Sequence, residues 1–119
     1  MILFLPTEQH NYSKPISESI YCMKILAIEK NLKQVDWNKL QPVLKDEALR
    51  VYELYQYCFI REVYFNENKN AIIIMECDNK EHALEILSTL PLVESGLIAF
   101  EVMELNPYTG YRRLISENF

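Results

Sequence analysis

The chain has 119 residues, half of them hydrophobic and only two of them glycine, with a formal net charge of −5. This length suits one domain that buries a core of its own, and the composition argues against a disordered or low-complexity chain. Basic residues do not cluster beyond Arg112 and Arg113, which argues against binding to nucleic acid or to an anionic membrane surface. No apolar run in the sequence approaches the ~20 residues of a membrane-spanning helix.

The cysteine and histidine content predicts a chain without a metal or a cofactor. The three cysteines are odd in number and lack C-x-x-C spacing, so they indicate neither a disulfide framework nor a zinc site. Two isolated histidines, His10 and His82, add no metal site, and no glycine-rich loop supports a nucleotide cofactor. The first residues lack the basic and long apolar segments of a signal peptide. We therefore expect a cytoplasmic protein with reduced thiols.

Residues 1–22 differ in pattern from the rest of the chain. They contain Pro6, Pro15 and, between them, a polar stretch without helix or strand periodicity. Met23 then opens an apolar run, so we predict an N-terminal extension at 1–22 and a ferredoxin-like domain at 23–119. The extension is expected to form an edge strand, an arm around a partner or a tail. Whether Met23 is an alternative start stays open.

The remaining sequence alternates between strand-like and helix-like patterns. Asp36 lies in a polar link and is a candidate N-cap, and Pro42, tolerated only in the first turn of a helix, sets the start of the main helix. Asp78, with Glu81 three residues later, suggests a capping box for a second helix that Pro91 ends. The predicted elements in chain order are a strand at 23–30, a helix at 42–57, strands at 60–65 and 71–77 around a five-residue polar loop, a helix after residue 78 and a strand at 98–105.

The order β-α-β-β-α-β predicts the ferredoxin-like, or split βαβ, arrangement of the α+β class. Two helices then cover one face of a four-stranded antiparallel sheet. Residues 72–75 are apolar on both faces, which predicts a central strand and a second sheet face that also needs cover. The same face of a second copy is the simplest cover, so we expect a homodimer with two sheets packed into a barrel-like sandwich. A single long loop over that face is the alternative.

The main helix is predicted to be amphipathic. Glu47 projects within its apolar stripe, beside Val51 and Leu54. The full stripe predicted from 3.6-residue spacing comprises Val43, Leu44, Ala48, Val51, Leu54, Tyr55 and Cys58.

Several segments of the chain resemble the muconolactone isomerase family. The likeness lies in the Leu-Pro-Leu at 90–92, in the final strand at 98–102 with Glu101, and in the residues 105–108 that follow. The main helix with Asp46 and Glu47, followed by Arg61 at the helix–strand junction, is also similar to the family. The similarity spans residues 23–108 and is closer still to uncharacterised relatives of that family, which have an arginine-led second strand.

This resemblance implies a ferredoxin-like subunit in close oligomeric packing, with a pocket between sheet and helices. It also implies cofactor-free proton transfer in a small unsaturated lactone or a related carboxylated compound. Such a reaction needs a base that takes a proton from carbon and a donor that stabilises the enolate. The chain departs from the family at Cys58, where the isomerases have glycine, and at residues 59–62, where they are rich in Trp and His.

Glu47 and Tyr55 are the candidate catalytic residues. A carboxylate in an apolar pocket is desolvated, which raises its pKa and suits Glu47 as a general base. The alternative is that Glu47 lies at the edge of the stripe and reaches water through its stem. Tyr55 could donate a hydrogen bond to an enolate oxygen, or belong to a tyrosine-rich core with a wet edge.

Arg61, Tyr64 and Glu76 are the candidate substrate-binding residues. Arg61 could hold a substrate carboxylate through a bidentate contact, or form a salt bridge with Glu47, Glu62 or Glu76, or be a solvated strand end. Tyr64 belongs to a junction rich in phenols. Glu76, like Glu29, lies near a strand end, where either carboxylate could face the space between two sheets.

Two functions of different classes follow from these residues. The first is an isomerase with Glu47 as base, Arg61 as anion anchor and Tyr55 as donor. The second is a non-catalytic small-ligand-binding or oligomerisation module, in which side chains such as Tyr55 and Met75 fill the pocket and Glu47 is solvated or salt-bridged. A third function, cofactor-free oxidation of an aromatic compound, rests on the fold alone.

Overall fold

The computed structural model describes residues 22–115. The predicted N-terminal extension therefore lies outside the described residues, apart from Cys22. The elements are β1 (Met23–Asn31), a first 3₁₀ helix (Trp37–Leu40), α1 (Gln41–Gln56), β2 (Ile60–Phe65), β3 (Ala71–Cys77), α2 (Lys80–Leu87), α3 (Pro91–Glu94), β4 (Ile98–Leu105) and a second 3₁₀ helix (Gly110–Leu114). None of the helices in the described part of the chain is long and apolar enough to cross a membrane.

The four strands form one antiparallel sheet in the order β2-β3-β1-β4. The α+β class and the antiparallel sheet are as predicted, and the arrangement is compatible with the ferredoxin-like type. The predicted bounds of β2, β3 and β4 are confirmed, and β1 extends one residue beyond its predicted end. The order puts β1 and β3 in the centre and leaves β2 and β4 as the two edges.

The two faces of the sheet differ in burial. Directly paired residues of antiparallel strands project to the same face, so Ile25 opposite Met75 and Ala27 opposite Ile73 share a face. All four are buried beneath the helices. The other face, called here the open face, carries apolar side chains that are only partly buried or exposed: Leu26, Ile28, Ile72, Ile74 and Met103.

Helix α1 packs on the sheet through a narrower stripe than predicted. Leu54 is buried and Val51 is partly buried, but Ala48, Tyr55 and Cys58 are exposed. Their predicted place on the buried face is therefore wrong. Each residue turns the helix by about 100°, so Tyr55 points well to one side of Leu54. Upstream, Asp36 caps the first 3₁₀ helix by accepting a hydrogen bond from the Asn38 N–H at 3.1 Å, in agreement with its predicted capping role.

Helix α1 ends in a Schellman motif. The Phe59 N–H donates to the Leu54 carbonyl at 3.0 Å, and the Cys58 N–H donates to the Tyr55 carbonyl at 3.0 Å. This closure requires a left-handed backbone at the residue after the C-cap, and Cys58 has a φ of 71°. A cysteine therefore stands where glycine would carry no steric penalty.

Helix α2 begins one residue later than predicted, and Pro91 has a different role. The Asn79 side chain, not that of Asp78, is the N-cap and accepts from the His82 N–H at 2.7 Å. The predicted capping box of Asp78 with Glu81 is thus wrong, because the side chain that accepts the capping hydrogen bond belongs to Asn79 and its donor is the N–H three residues later, at His82. Helix α2 ends at Leu87, and Pro91 begins α3, where a missing N–H costs no hydrogen bond.

Candidate functional site

The Glu47 side chain connects α1 to α3. It lies on the sheet-facing side of α1, is partly buried, and its Oε1 accepts a hydrogen bond from the Leu92 N–H at 2.9 Å. Helix α3 has no cap of its own, because its N-cap residue is Leu90. The sequence therefore places the acceptor on a different helix, and Glu47 caps the first turn of α3 from α1.

Two carboxylates share the helix-covered side of the sheet at this point. Burial raises the pKa of Glu47, the hydrogen bond from Leu92 opposes this rise, and the negative charge of Glu29 adds to it. Glu29 lies near the end of β1 and accepts a hydrogen bond from the Ala71 N–H at 2.7 Å. Each carboxylate thus holds a backbone N–H of another segment. The raised pKa of Glu47 is a shift in the direction that suits a general base.

Tyr55 does not join Glu47 in a pocket. It is 56% exposed and lies eight residues further along α1, which corresponds to about 12 Å along the helix axis. The prediction that these two residues share one apolar face is wrong, because Tyr55 lies on the outward side of the helix. Met75, the other predicted pocket-filling side chain, is fully buried in the core.

Arg61 lies on the open face, beside Glu76. A bulge in β2 at Arg61 interrupts the register, with Ile60 opposite Met75 and Glu62 opposite Ile74. The Arg61 Nε is 3.7 Å from Oε1 of Glu76, and both side chains are substantially exposed. The salt bridge with Glu76, one of the alternatives considered for Arg61, is therefore present.

Tyr64 also faces away from the helices. It pairs with Ile72 across the strands, and its hydroxyl donates to Oε1 of Glu62 at 2.7 Å. This hydrogen bond to a carboxylate raises the pKa of the Tyr64 phenol, since it stabilises the protonated form beside a negative charge. The Tyr64 hydroxyl thus already donates its hydrogen bond within the chain, to Glu62.

The sheet separates the five candidate residues into groups. Glu47 lies on the helix side, Tyr55 lies on the outer surface of α1, and the three candidate substrate-binding residues lie on the open face. Glu29 was not among the candidate site residues. It lies near the end of β1 and points to the helix side of the sheet, not into the space between two sheets. The sequence signal for the role of Glu47 is Leu90, which precedes Pro91 and has no side-chain oxygen to cap a helix, so a helix that begins at Pro91 needs a hydrogen-bond acceptor from elsewhere.

Residues 22–115 contain no group of three or more His, Cys, Asp and Glu side chains that could hold a metal ion. No protein-family model matches the sequence, and no curated protein matches it. The resemblance to the muconolactone isomerase family stays a prediction from the residues quoted above.

Proposed function

We propose that the chain is a homodimeric α+β module in which two copies pack the open faces of their sheets against each other. The observation that carries this proposal is the apolar centre of the open face. Leu26 lies opposite Ile74, and Ile28 lies opposite Ile72, so four aliphatic side chains form one contiguous patch on β1 and β3. Met103 of β4 extends the patch beside Leu26.

Such a patch on the central strands is unusual for a face that stays in water. Antiparallel sheets with one solvated face alternate between apolar inward and polar outward side chains. Here both central strands carry aliphatic side chains on the outward side. Two sheets stacked about 10 Å apart would bury these side chains between them, as in a sandwich.

The rim of the patch fits contact with an identical surface. Lys30 and Glu101 form an ion pair at 3.5 Å at one border, and Arg61 and Glu76 lie 3.7 Å apart at another. A two-fold interface places a surface against itself, so a rim with both charge signs can match its own copy. A rim of one sign would repel it.

Substitution of Ile74 by lysine tests this function. Sedimentation velocity of Ile74→Lys at micromolar concentration should give the monomer mass with an unchanged far-ultraviolet circular dichroism spectrum. The matched control is Leu84→Lys, since Leu84 is 45% exposed on α2, away from the open face, and this variant should remain a dimer. Dimers of both variants would contradict the proposed interface.

A second candidate function is a cofactor-free isomerase with Glu47 as the base. One observation favours it: burial and the neighbouring Glu29 raise the pKa of Glu47 on the helix side. The base would take a proton from one carbon of an unsaturated lactone and return it to another, which moves the double bond. Within one subunit Glu29 is the second carboxylate of this site, whereas Arg61, Tyr64 and Glu76 lie across the sheet.

Proton exchange tests the isomerase candidate. The protein is incubated with a panel of unsaturated lactones in D₂O, and loss of C–H signal is followed by nuclear magnetic resonance. Exchange by the wild type that Glu47→Gln abolishes would support the candidate. Equal exchange by the wild type and Glu47→Gln would contradict the role of Glu47.

A further inference from the structure

We infer that the C-terminal arm, residues 106–115, docks on a second copy of the chain, against the outward side of its α1; this inference rests on the proposed homodimer. The arm follows β4 and contains the second 3₁₀ helix. Its four large apolar side chains are 67–83% exposed. These side chains are Tyr108, Tyr111, Leu114 and Ile115.

The arm has a defined local structure. The Tyr108 and Tyr111 rings meet edge to face with centroids 4.9 Å apart, and a Cβ built on Gly110 would overlap the Tyr108 ring. The Arg112 N–H donates to the Thr109 carbonyl at 3.1 Å. The glycine thus leaves room for the Tyr108 ring, and the arm exposes tyrosine, leucine and isoleucine side chains.

The surface that suits this arm is a second apolar stripe on α1, called here the outer stripe and formed by Leu49, Tyr52 and Tyr55. These three residues are 56–58% exposed and lie about 100° or more around the helix from Leu54. A helix that packs only on its own sheet needs one apolar stripe. The arm and the outer stripe do not cover each other within one chain, because both are exposed there.

The strand order brings the two surfaces together across a dimer. The arm leaves β4 at Leu105, which lies at the end of the sheet where Lys24 opens β1 and where β2 begins after Phe59. If the two-fold axis runs along the strands, β4 of one copy lies over β2 of the other. Helix α1 leads into β2 and packs on the side of the second copy's sheet that faces away from the interface, so the arm would reach the C-terminal end of α1 by passing around the β2 edge.

Charge favours the same contact. Residues 23–105 carry nine basic and fourteen acidic side chains, whereas the arm carries Arg112 and Arg113 and no acidic residue. A basic arm on an acidic body is electrostatically complementary, and the pairing is self-consistent because every copy supplies both surfaces. Around the outer stripe, Asp46 is an exposed acidic neighbour, Glu53 pairs with Arg50 at 3.1 Å, and Lys45 lies one turn before Leu49.

Photo-crosslinking in mixed dimers tests the inference. A photoreactive amino acid replaces Leu114 in ¹⁵N-labelled chains, which are mixed with unlabelled wild-type chains and irradiated. We expect crosslinked peptides that join a labelled arm to unlabelled residues 41–56, and the same probe at Leu84 on α2 serves as the control position. Crosslinks only within labelled chains, or no crosslink to α1, would overturn the inference.

A second variant keeps the test independent of the probe. The double substitution Leu114→Ser and Ile115→Ser should raise the dimer dissociation constant by about tenfold or more, because two aliphatic side chains lose their burial. The same double substitution in chains that already carry Tyr52→Ser should add much less than in the wild type. An intact dimer with an unchanged dissociation constant would overturn the arm contact while the sheet interface stands. A wild-type monomer would overturn both.

Discussion

Glu47 and Leu92 are joined by a 2.9 Å hydrogen bond from the Leu92 N–H to the Glu47 carboxylate, so α1 supplies the cap that α3 lacks. This relationship assigns the one acidic side chain within the apolar stripe of α1 a stabilising role. It does so without any substrate. Burial nevertheless raises the pKa of the Glu47 carboxyl.

Replacement of Glu47 by glutamine should change stability in a pH-dependent way. Burial raises the pKa of Glu47 in the folded chain, so its contribution to stability is full below the unfolded pKa and is lost as pH rises through the folded pKa. Glutamine keeps an acceptor for Leu92 and has no charge. The stability of Glu47→Gln relative to the wild type should therefore be higher at pH 7 than at pH 4, as measured by urea unfolding.

Glu47→Leu is the control, because it removes the acceptor as well as the charge. Its free energy of unfolding should be lower than that of Glu47→Gln by about 1 kcal/mol, because only the glutamine side chain can still accept the hydrogen bond from Leu92. An equal stability difference between Glu47→Gln and the wild type at both pH values would contradict the role of burial.

Glycine at position 58 should stabilise the chain. Cys58 has a left-handed backbone with φ of 71°, which costs an L-residue roughly 1–2 kcal/mol and glycine less. We expect Cys58→Gly to raise the free energy of unfolding by about 0.5–1 kcal/mol. Gln56→Gly, two residues earlier in the right-handed helix, should instead lose about 1 kcal/mol. Destabilisation by both substitutions would be inconsistent with the Schellman geometry.

Asn79 and Asp78, at the N-terminus of α2, should contribute differently to stability. Asn79 accepts the hydrogen bond from the His82 N–H, whereas the exposed Asp78 carboxylate lies 3.6 Å from the His82 ring nitrogen. Asn79→Ala should cost about 1 kcal/mol of the free energy of unfolding, and Asp78→Ala a smaller amount. Thermal unfolding of the two variants checks the order, and a larger loss for Asp78→Ala would mean that the cap is assigned to the wrong residue.

The two thiols of the core domain should differ in reactivity. Burial raises the pKa of Cys77 to about 11, whereas Cys58 is exposed at the end of α1. Because the thiolate is the reactive form, iodoacetamide at pH 8 should alkylate Cys58 rapidly and leave Cys77 unmodified in the folded chain. Peptide mass spectrometry reads both sites. Equal labelling of the two would show that β3 is not covered as described.

The strands were the most predictable part of the structure. The polar loop at 66–70 and the alternation on both sides of it define β2 and β3, because a short turn and a period of two leave little freedom in register. The start of α1 followed from Pro42 in its first turn. Helix α3 was missed, since four residues carry too little periodicity and Pro91 has the same appearance at a helix start as after a helix end.

The candidate site was less predictable, because it depends on which side of the sheet each residue occupies. The bulge at Arg61 inserts one residue into β2, and the pattern of apolar and polar residues in the sequence does not predict it. Tyr55 was misplaced for a related reason: α1 has two apolar stripes, and a count of apolar residues at helical spacing merges them. The partner of Glu47 is a backbone N–H, which side-chain patterns do not identify.

Light scattering on the wild-type chain tests the central claim most directly. The full chain has a mass of 14.1 kDa, and its mass is measured after size-exclusion chromatography at micromolar concentration. Twice the chain mass, or a higher even multiple, is the result that the open-face interface predicts. A single chain mass at this concentration would contradict the homodimer and leave the apolar open face to be covered within the chain.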